Sequence, residues 1–326
     1  MKLYINKTKV NLRKNGSDSY VHGLNSKNLF RIEIDNRNTL MSKSLSAYIK
    51  KNHKLLFYKF VKSRFLVNIL SELGFFRYCF CLLQNKPYFG YYLMAAQTWE
   101  TRKPCMQNLV KREILSCKKG EFRILEIGSW AGNSALTWAE AIRDSERKCE
   151  IVCVDPWTPY VKPEKGMINK APMIMEKALK NNKIFKLFQH NIAAAGISQM
   201  VTPLRGTSDN ILPTLKKNSF NLAFVDGAHY YSNVIRDLQN TKILLKEGGI
   251  LCGDDLDLQS HEVDLDYAQA NKEINLVIDP KTGKEFHPGV CMAVHNFFQK
   301  SVSACNGFWA MRKTENGWQT VDMNFK

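Results

Sequence analysis

Residues 123–142 read RILEIGSWAGNSALTWAEAI. A short apolar run, Ile124-Leu125-Glu126-Ile127, has the length of a buried strand. A turn of small residues follows, from Gly128 to Gly132, and then Ala135, Leu136, Trp138, Ala139 and Ile142 recur at helical spacing. Strand, glycine turn and helix together offer backbone N–H groups and a helix N-terminus to a nucleotide-like ligand. The glycine spacing is G-x-x-x-G rather than G-x-G-x-x-G, which disfavours a dinucleotide pyrophosphate.

Outward from this stretch the chain alternates strand and helix. Strands are expected at 123–127, 150–154, 201–205, 221–225 and 249–252. Helices are expected at 183–195, 231–245 and 288–300. A helix at 105–117 leads into the first strand, and Asn316-Gly317 marks a C-terminal β-hairpin. The fold class is therefore α/β: a doubly wound, mostly parallel, Rossmann-like sheet occupying residues 96–326. Residues 1–95 form a separate, basic and mainly helical N-terminal region, with short strands near 1–10 and 29–34 and helices over 40–84.

The formal charge is +17, and all of it lies early. Residues 1–120 hold 23 Lys and Arg against 6 Asp and Glu, whereas residues 121–326 hold 24 of each sign. That asymmetry suggests an anionic contact for the first third, a membrane surface, an acidic substrate or nucleic acid, with a plain solvated basic face equally open. Residues 1–10 lack the apolar run of a signal peptide. The most apolar window, 65–83, is broken by Asn68, Glu72, Gly74 and Arg77, so it is a poor transmembrane span; it is expected as a core helix of the N-terminal region, with a membrane interface as the alternative. The nine cysteines are scattered without a CxxC pair. Neither a zinc site nor a disulfide framework is expected, and a reducing, cytoplasmic setting fits, with the inner membrane face as a peripheral location.

Ligands of open α/β sheets bind beyond the carboxyl ends of the strands. Acids stand there in four strands: Glu126 in the first, Asp155 after the second, Asp226 after the fourth and Asp254-Asp255 after the fifth. Asp155 is placed to accept ribose hydroxyls. Asp226, Asp254 and Asp255 are hard oxygen donors suited to Mg²⁺. His229, three residues past Asp226, is a candidate general base. His261, Glu262 and His287 lie in loops after the fifth strand that can reach a substrate, with a purely structural role equally open.

The ordered set LEIGSWAGNSAL, VDPW, LRGTSDNILPTL, FVDGAHYYSNVIRDL and LLKEGGILCGDDL resembles class I S-adenosylmethionine-dependent O-methyltransferases. The similarity is to the metal-dependent branch that holds catechol O-methyltransferase, and more closely to macrolide-sugar O-methyltransferases and the proteins labelled cephalosporin hydroxylases. It covers roughly residues 100–300. The resemblance implies that Glu126, Gly128, Ser129, Gly132 and Ser134 line the methionine and ribose side of the cofactor. It implies that Asp155 takes the ribose hydroxyls, that Trp157 walls the adenine, and that Ser208 and Asp209 stand at the adenine edge. Asp226, Asp254 and Asp255 would hold Mg²⁺ or Mn²⁺, Asp226 also facing the cofactor, and His229 would be the base. The Asp254-Asp255 pair replaces the Asp-Asn of catechol enzymes and favours an alcohol on a sugar or glycan as acceptor. A catechol-like or other small-molecule acceptor is the alternative. A nucleic-acid substrate ranks low, because no base-amine motif or stacking module is present. A non-catalytic adaptor ranks low too. A homo-oligomer is open. A hydroxylase would need a redox metal site, and no second histidine completes a two-histidine, one-carboxylate set at an identifiable spacing.

Overall fold

The computed structural model describes residues 3–5, 8–10, 30–31, 64–95, 101–117, 120–145, 147–159 and 171–323. The chain divides into two compact units, Met1–Val67 and Asn68–Lys326. In the first, β1 (Leu3–Ile5) lies between β2 (Thr8–Val10) and β3 (Phe30–Arg31), antiparallel to both. These are the short strands expected there. Of the helices expected over 40–84, the described residues include α1 (Arg64–Leu83); the rest of that expectation lies outside them.

The second unit carries the main sheet. Its strands are β4 (Phe122–Ile127), β5 (Cys149–Asp155), β6 (Val201–Arg205), β7 (Phe220–Val225), β8 (Leu245–Gly253), β11 (Ser303–Cys305), β12 (Phe308–Thr314) and β13 (Gly317–Thr320). A separate two-stranded ribbon pairs β9 (Val277–Ile278) with β10 (Glu285–Phe286). The main order is β11-β12-β8-β7-β4-β5-β6, and β13 folds back on β12. The five strands from β4 to β8 run parallel, while β12 is antiparallel to β8, β11 and β13. The β12–β13 turn is the hairpin that Asn316-Gly317 marks.

Side-chain alternation explains why helices cover both faces. Ile124, Ile151, Cys153, Leu222, Phe224, Ile250 and Cys252 face one core, with Trp138 and Phe308. Leu125, Ile127, Val152, Val154, Ala223, Val225 and Leu251 face the other, with Trp309. Strands buried on both faces must be apolar at nearly every position. The one charged residue with no exposed surface in β4 is Glu126. The helices that supply the cover are α2 (Lys103–Ser116), α3 (Asn133–Ile142), α4 (Ala171–Leu179), α5 (Lys183–Ala194), the short α6 (Ser208–Ile211), α7 (Tyr231–Leu244), α8 (Leu265–Ala270) and α9 (Pro288–Phe298). Helix α2 packs on α3, and α9 on α7 and α8.

Strand β4 is the pivot. From it the chain steps outward through β5 to β6, then returns to β4's other side as β7 and steps outward again. The order reverses between β4 and β7, and their carboxyl ends flank the switch-point crevice where such sheets bind ligands.

Cysteine chemistry differs from expectation at one place. Cys105 of α2 and Cys305 of β11 form a disulfide across a separation of 200 residues, while Cys79, Cys81, Cys149, Cys153, Cys252 and Cys291 are free thiols. A single long-range link has no spacing signature, so the scattered cysteines conceal it. Among the described residues no helix is long and apolar enough to cross a membrane.

Candidate active site at the switch point

The glycine turn is held from two sides. Gly128 has φ +86°, and a Cβ there would stand 2.0 Å from the main-chain oxygen of Asp226. The N–H of Asp226 in turn donates to the Ile127 carbonyl at 2.8 Å. Gly132 has φ +85° at the start of α3, facing the Phe188 ring. Only glycine gives both the left-handed backbone and the close approach at Gly128.

From the other side, Asp155 organises the turn. Its Oδ2 accepts the N–H groups of Ser129 and Trp130, each at 3.0 Å, and its Oδ1 accepts that of Trp157 at 2.6 Å. Burial raises the Asp155 carboxyl, and these three N–H groups pull it back. The residue expected to meet a ribose thus fixes the loop that would meet the rest of the cofactor. Trp157 differs from expectation. It is fully buried, its indole donates to the Trp130 carbonyl at 2.8 Å, and its ring lies against Phe185 and Phe188. It is enclosed by protein rather than open to an adenine pocket.

Glu126 is wholly buried beneath the turn, accepting the Trp138 indole N–H at 2.8 Å. Burial pushes its carboxyl up to about 7, with Ser129, Ser134 and Trp138 holding it back. Ser129 and Ser134 are also buried, so the residues assigned to the methionine side form one polar cluster under the turn. Ser208 and Asp209 open α6 after β6. Asp209 is exposed and paired with Arg236 at 3.3 Å. Ser208 bonds to Asp237, whose carboxyl burial pushes up to about 7.

Opposite the turn, Asp226, Asp254 and Asp255 bring one carboxylate oxygen each to within 4.8 Å of the others. Asp255 reaches this position through a left-handed backbone, φ +60°. Burial and the neighbouring acids hold the Asp226 carboxyl well above its usual range, and burial with Asp255 pushes Asp254 up to about 7. Oδ1 of Asp254 is buried without a hydrogen-bond partner. Asp255 goes the other way. Burial would raise it, but His229, His287 and Arg102 together hold it well below the usual carboxylate range.

Arg102 supplies the positive charge. Its guanidinium pairs with Asp254, lies 3.3 Å from Asp255 and 3.6 Å from Asp257, and its Nε donates to the Asn306 carbonyl at 2.8 Å. The disulfide at Cys105 and Cys305 lies one helical turn from Arg102 and next to Asn306. His229 completes the cluster, with Nε2 3.0 Å from Asp255 Oδ2 and Nδ1 3.0 Å from Asn275 Oδ1. Burial lowers its pKa, but Asp255 outweighs that and the net shift is upward. The His287 ring stands 4.4 Å from that of His229. Burial and the His229 charge bring His287 down to about 4.

Asp226, His229, Asp254 and Asp255 therefore converge as the sequence predicts, beside the turn carrying Gly128 and Ser129. His287 joins them, whereas Glu262 bonds locally to the Gln259 N–H and His261 is exposed. The statement that no second histidine completes a two-histidine, one-carboxylate set is corrected: one ligand atom each from His229, Asp255 and His287 lies within 4.8 Å of the others. Arg102 and Asn275 were not among the sequence candidates. Arg102 lies some 150 residues before the acids it pairs with, and Asn275 sits in no recognisable motif.

A central parallel strand with a glycine turn, an acid after the next strand and carboxylates across the switch point is an arrangement suited to a nucleoside cofactor. Residues 125–256 match the family model of a methyltransferase domain, and that segment spans β4 to the acids after β8. The resemblance to methyltransferases read from the motifs agrees with this match, which spans about two fifths of the chain. No curated protein sequence matches the chain. Similar solved structures include the O-methyltransferase NovP (15% identity, 66% of this chain and 80% of that one, TM-score 0.45). Another is TomG, an O-methyltransferase of Streptomyces achromogenes involved in tomaymycin synthesis, in complex with S-adenosylmethionine (18% identity, 65% and 79%, TM-score 0.42). A third is an O-methyltransferase from Bacillus cereus in complex with S-adenosylhomocysteine (14% identity, 76% and 90%, TM-score 0.40).

Proposed function

We propose that this protein transfers the methyl group of S-adenosylmethionine to a hydroxyl of a sugar, glycan or glycosylated metabolite. The observation that carries the reading is the convergence of Asp226, Asp254, Asp255 and His229 across the switch point from the Gly128 turn. In that reading the turn and the Glu126–Ser129–Ser134 cluster hold the amino-acid end of the cofactor. Asp155 has one oxygen, Oδ1, with only a single N–H on it, which leaves it room to accept a ribose hydroxyl.

A divalent cation fits the acid cluster. Three carboxylates crowd against one close guanidinium, the raised Asp226 and Asp254 carboxyls reflect a repulsion and desolvation that a cation would relieve, and the partnerless Oδ1 of Asp254 is an oxygen free to ligate one. Asp226, Asp254 and Asp255 would hold it, as Mg²⁺ or Mn²⁺. Such an ion would lower the pKa of an aliphatic hydroxyl that is otherwise too weak an acid to attack. His229 is the proton acceptor in this scheme. Both its ring nitrogens are engaged, so it serves as base only when the 3.0 Å contact between Nε2 and Asp255 opens. Orientation of the hydroxyl in line with the sulfonium methyl supplies much of the remainder. The Asp254-Asp255 pair supports an alcohol rather than a catechol as acceptor, through the resemblance described above.

The test is transfer of radiolabelled methyl from S-adenosylmethionine to panels of nucleotide sugars, glycans and catechols, with and without chelator. Metal-dependent label in a sugar hydroxyl supports the proposal. Transfer that is indifferent to chelator would remove the cation, and label only in catechols would remove the sugar. The basic first third suits an anionic membrane surface, and a homo-oligomer is compatible with the fold; both extend the proposal.

A further inference from the structure

Asn275 stands between the two histidines. Its side-chain Oδ1 lies 3.0 Å from Nδ1 of His229, and its main-chain oxygen lies 2.5 Å from Nδ1 of His287. A carbonyl oxygen only accepts, so each Nδ1 carries a proton and the neutral ring keeps its lone pair on Nε2. Metal-ligating histidines are prepared in this way: one ring N–H donates to a carbonyl, which fixes the tautomer and aims the other nitrogen. Here one residue prepares both rings.

The rings meet edge to face at 66°, and Nε2 of His229 already lies 3.0 Å from Asp255 Oδ2. No hydrogen bond from a described residue reaches Nε2 of His287. The backbone frame is tight. A Cβ on Gly289 would fall 2.2 Å from the His229 oxygen and 2.6 Å from the Tyr231 nitrogen, so the loop after β7 and the start of α9 are in direct contact. Ligand atoms of His229, Asp255 and His287 lie within 4.8 Å of one another. Bonds of about 2.0–2.1 Å let one cation span ligand atoms up to roughly 4.2 Å apart, so small side-chain rotations close the set.

We propose that His229, Asp255 and His287 form a binding site for a first-row transition dication of the Zn²⁺ or Co²⁺ type. Two imidazoles select such ions over Mg²⁺, whereas the all-oxygen set of Asp226, Asp254 and Asp255 selects the harder ion. Both sets need Asp255, so the two cations exclude each other. The site itself does not depend on the methyltransferase reading. Its consequence does: a cation on Nε2 of His229 removes the proton acceptor, and the softer ion inhibits methyl transfer.

The experiment is titration of the full chain with Co²⁺, followed by visible absorption, for wild type, His287→Ala, His287→Gln and Asp226→Ala. Calorimetric binding of S-adenosylhomocysteine and a thermal melt are run in parallel to report folding. The wild type should develop cobalt bands well above those of the aquo ion, and one equivalent of Zn²⁺ should displace them. Affinity should fall by at least the roughly ten- to hundredfold that loss of an outer-shell partner costs in both His287 variants, since His287 is a ligand itself, and stay within a few-fold in Asp226→Ala. Equal cobalt affinity in wild type and a folded His287 variant would overturn the proposal. So would loss of the bands in Asp226→Ala alone, or bands no stronger than the aquo ion. Failure of the wild type to bind S-adenosylhomocysteine would instead sink the methyltransferase reading and leave the cobalt result standing.

Discussion

Two buried charges set the behaviour of single residues here. Arg102 is the close cation among Asp254, Asp255 and Asp257. Removing one partner of a buried ion pair leaves the others uncompensated, and Arg102→Ala should cost about 3–5 kcal/mol of stability. The melting temperature of that variant should recover with millimolar Mg²⁺ far more than the wild type gains. Equal metal effects on both would mean that Arg102 does not neutralise the cluster. Glu126 gives a pH signature. Its folded pKa is about 7 and its unfolded value is in the ordinary range. Between those values the folded state binds the extra proton, so the stability this group contributes is present at low pH and lost as pH rises through about 7. Wild-type melting temperature should therefore fall across that window, and Glu126→Gln should flatten the fall; an identical slope would contradict it. Neither residue is equally legible in the sequence. Glu126 is a lone acid in an apolar strand and announces itself. Arg102 sits among ordinary lysines and threonines before α2, and only the folded chain brings it to acids more than 150 positions later.

At the scale of elements, the strands were legible because burial on both faces demands unbroken apolar runs. β4, β5 and β7 stand where those runs lie, within one or two residues of the expected bounds, and β6, a largely exposed edge strand, also stands at its expected place. Strand β8 is longer than its apolar run, because Leu245–Gly248 joins the ladder through a register shift opposite β7 that hydrophobicity does not mark. The roles of Asp155 and Trp157 were less legible. A sequence places an acid and an aromatic after a strand, but not whether they face a ligand or brace the neighbouring loop. Gly128 is the sharpest test at this scale. Its positive φ and the 2.0 Å approach to the Asp226 oxygen leave no room for a methyl group. Gly128→Ala should push β4's turn away from β7 and lose cofactor affinity by tenfold or more, about 1.4 kcal/mol, measured by calorimetry with S-adenosylhomocysteine. Unchanged affinity would show that the turn does not form the cofactor site.

For the whole molecule, the division at Val67 and Asn68 leaves most of the charge surplus in the first unit and the switch-point site in the second. Residues 1–67 hold 15 Lys and Arg against 3 Asp and Glu, while every site residue lies in the second unit. A chain of residues 68–326 should thus fold and bind S-adenosylhomocysteine as the full chain does, yet bind anionic vesicles more weakly, most visibly at low salt. Equal vesicle binding by the two chains would move the membrane contact elsewhere. The acceptor was the least legible feature, because specificity in such a sheet is built from loops and added segments with no periodic constraint. The central claim is that the Gly128 turn and the acids across from it hold S-adenosylmethionine beside a divalent cation. Calorimetric titration of the wild type and the Asp254→Ala/Asp255→Ala variant with S-adenosylmethionine, each with and without Mg²⁺, tests it most directly. The account predicts one-to-one binding by the wild type, with a Mg²⁺-dependent heat that the double variant lacks. No binding of S-adenosylmethionine by the folded wild type would contradict it.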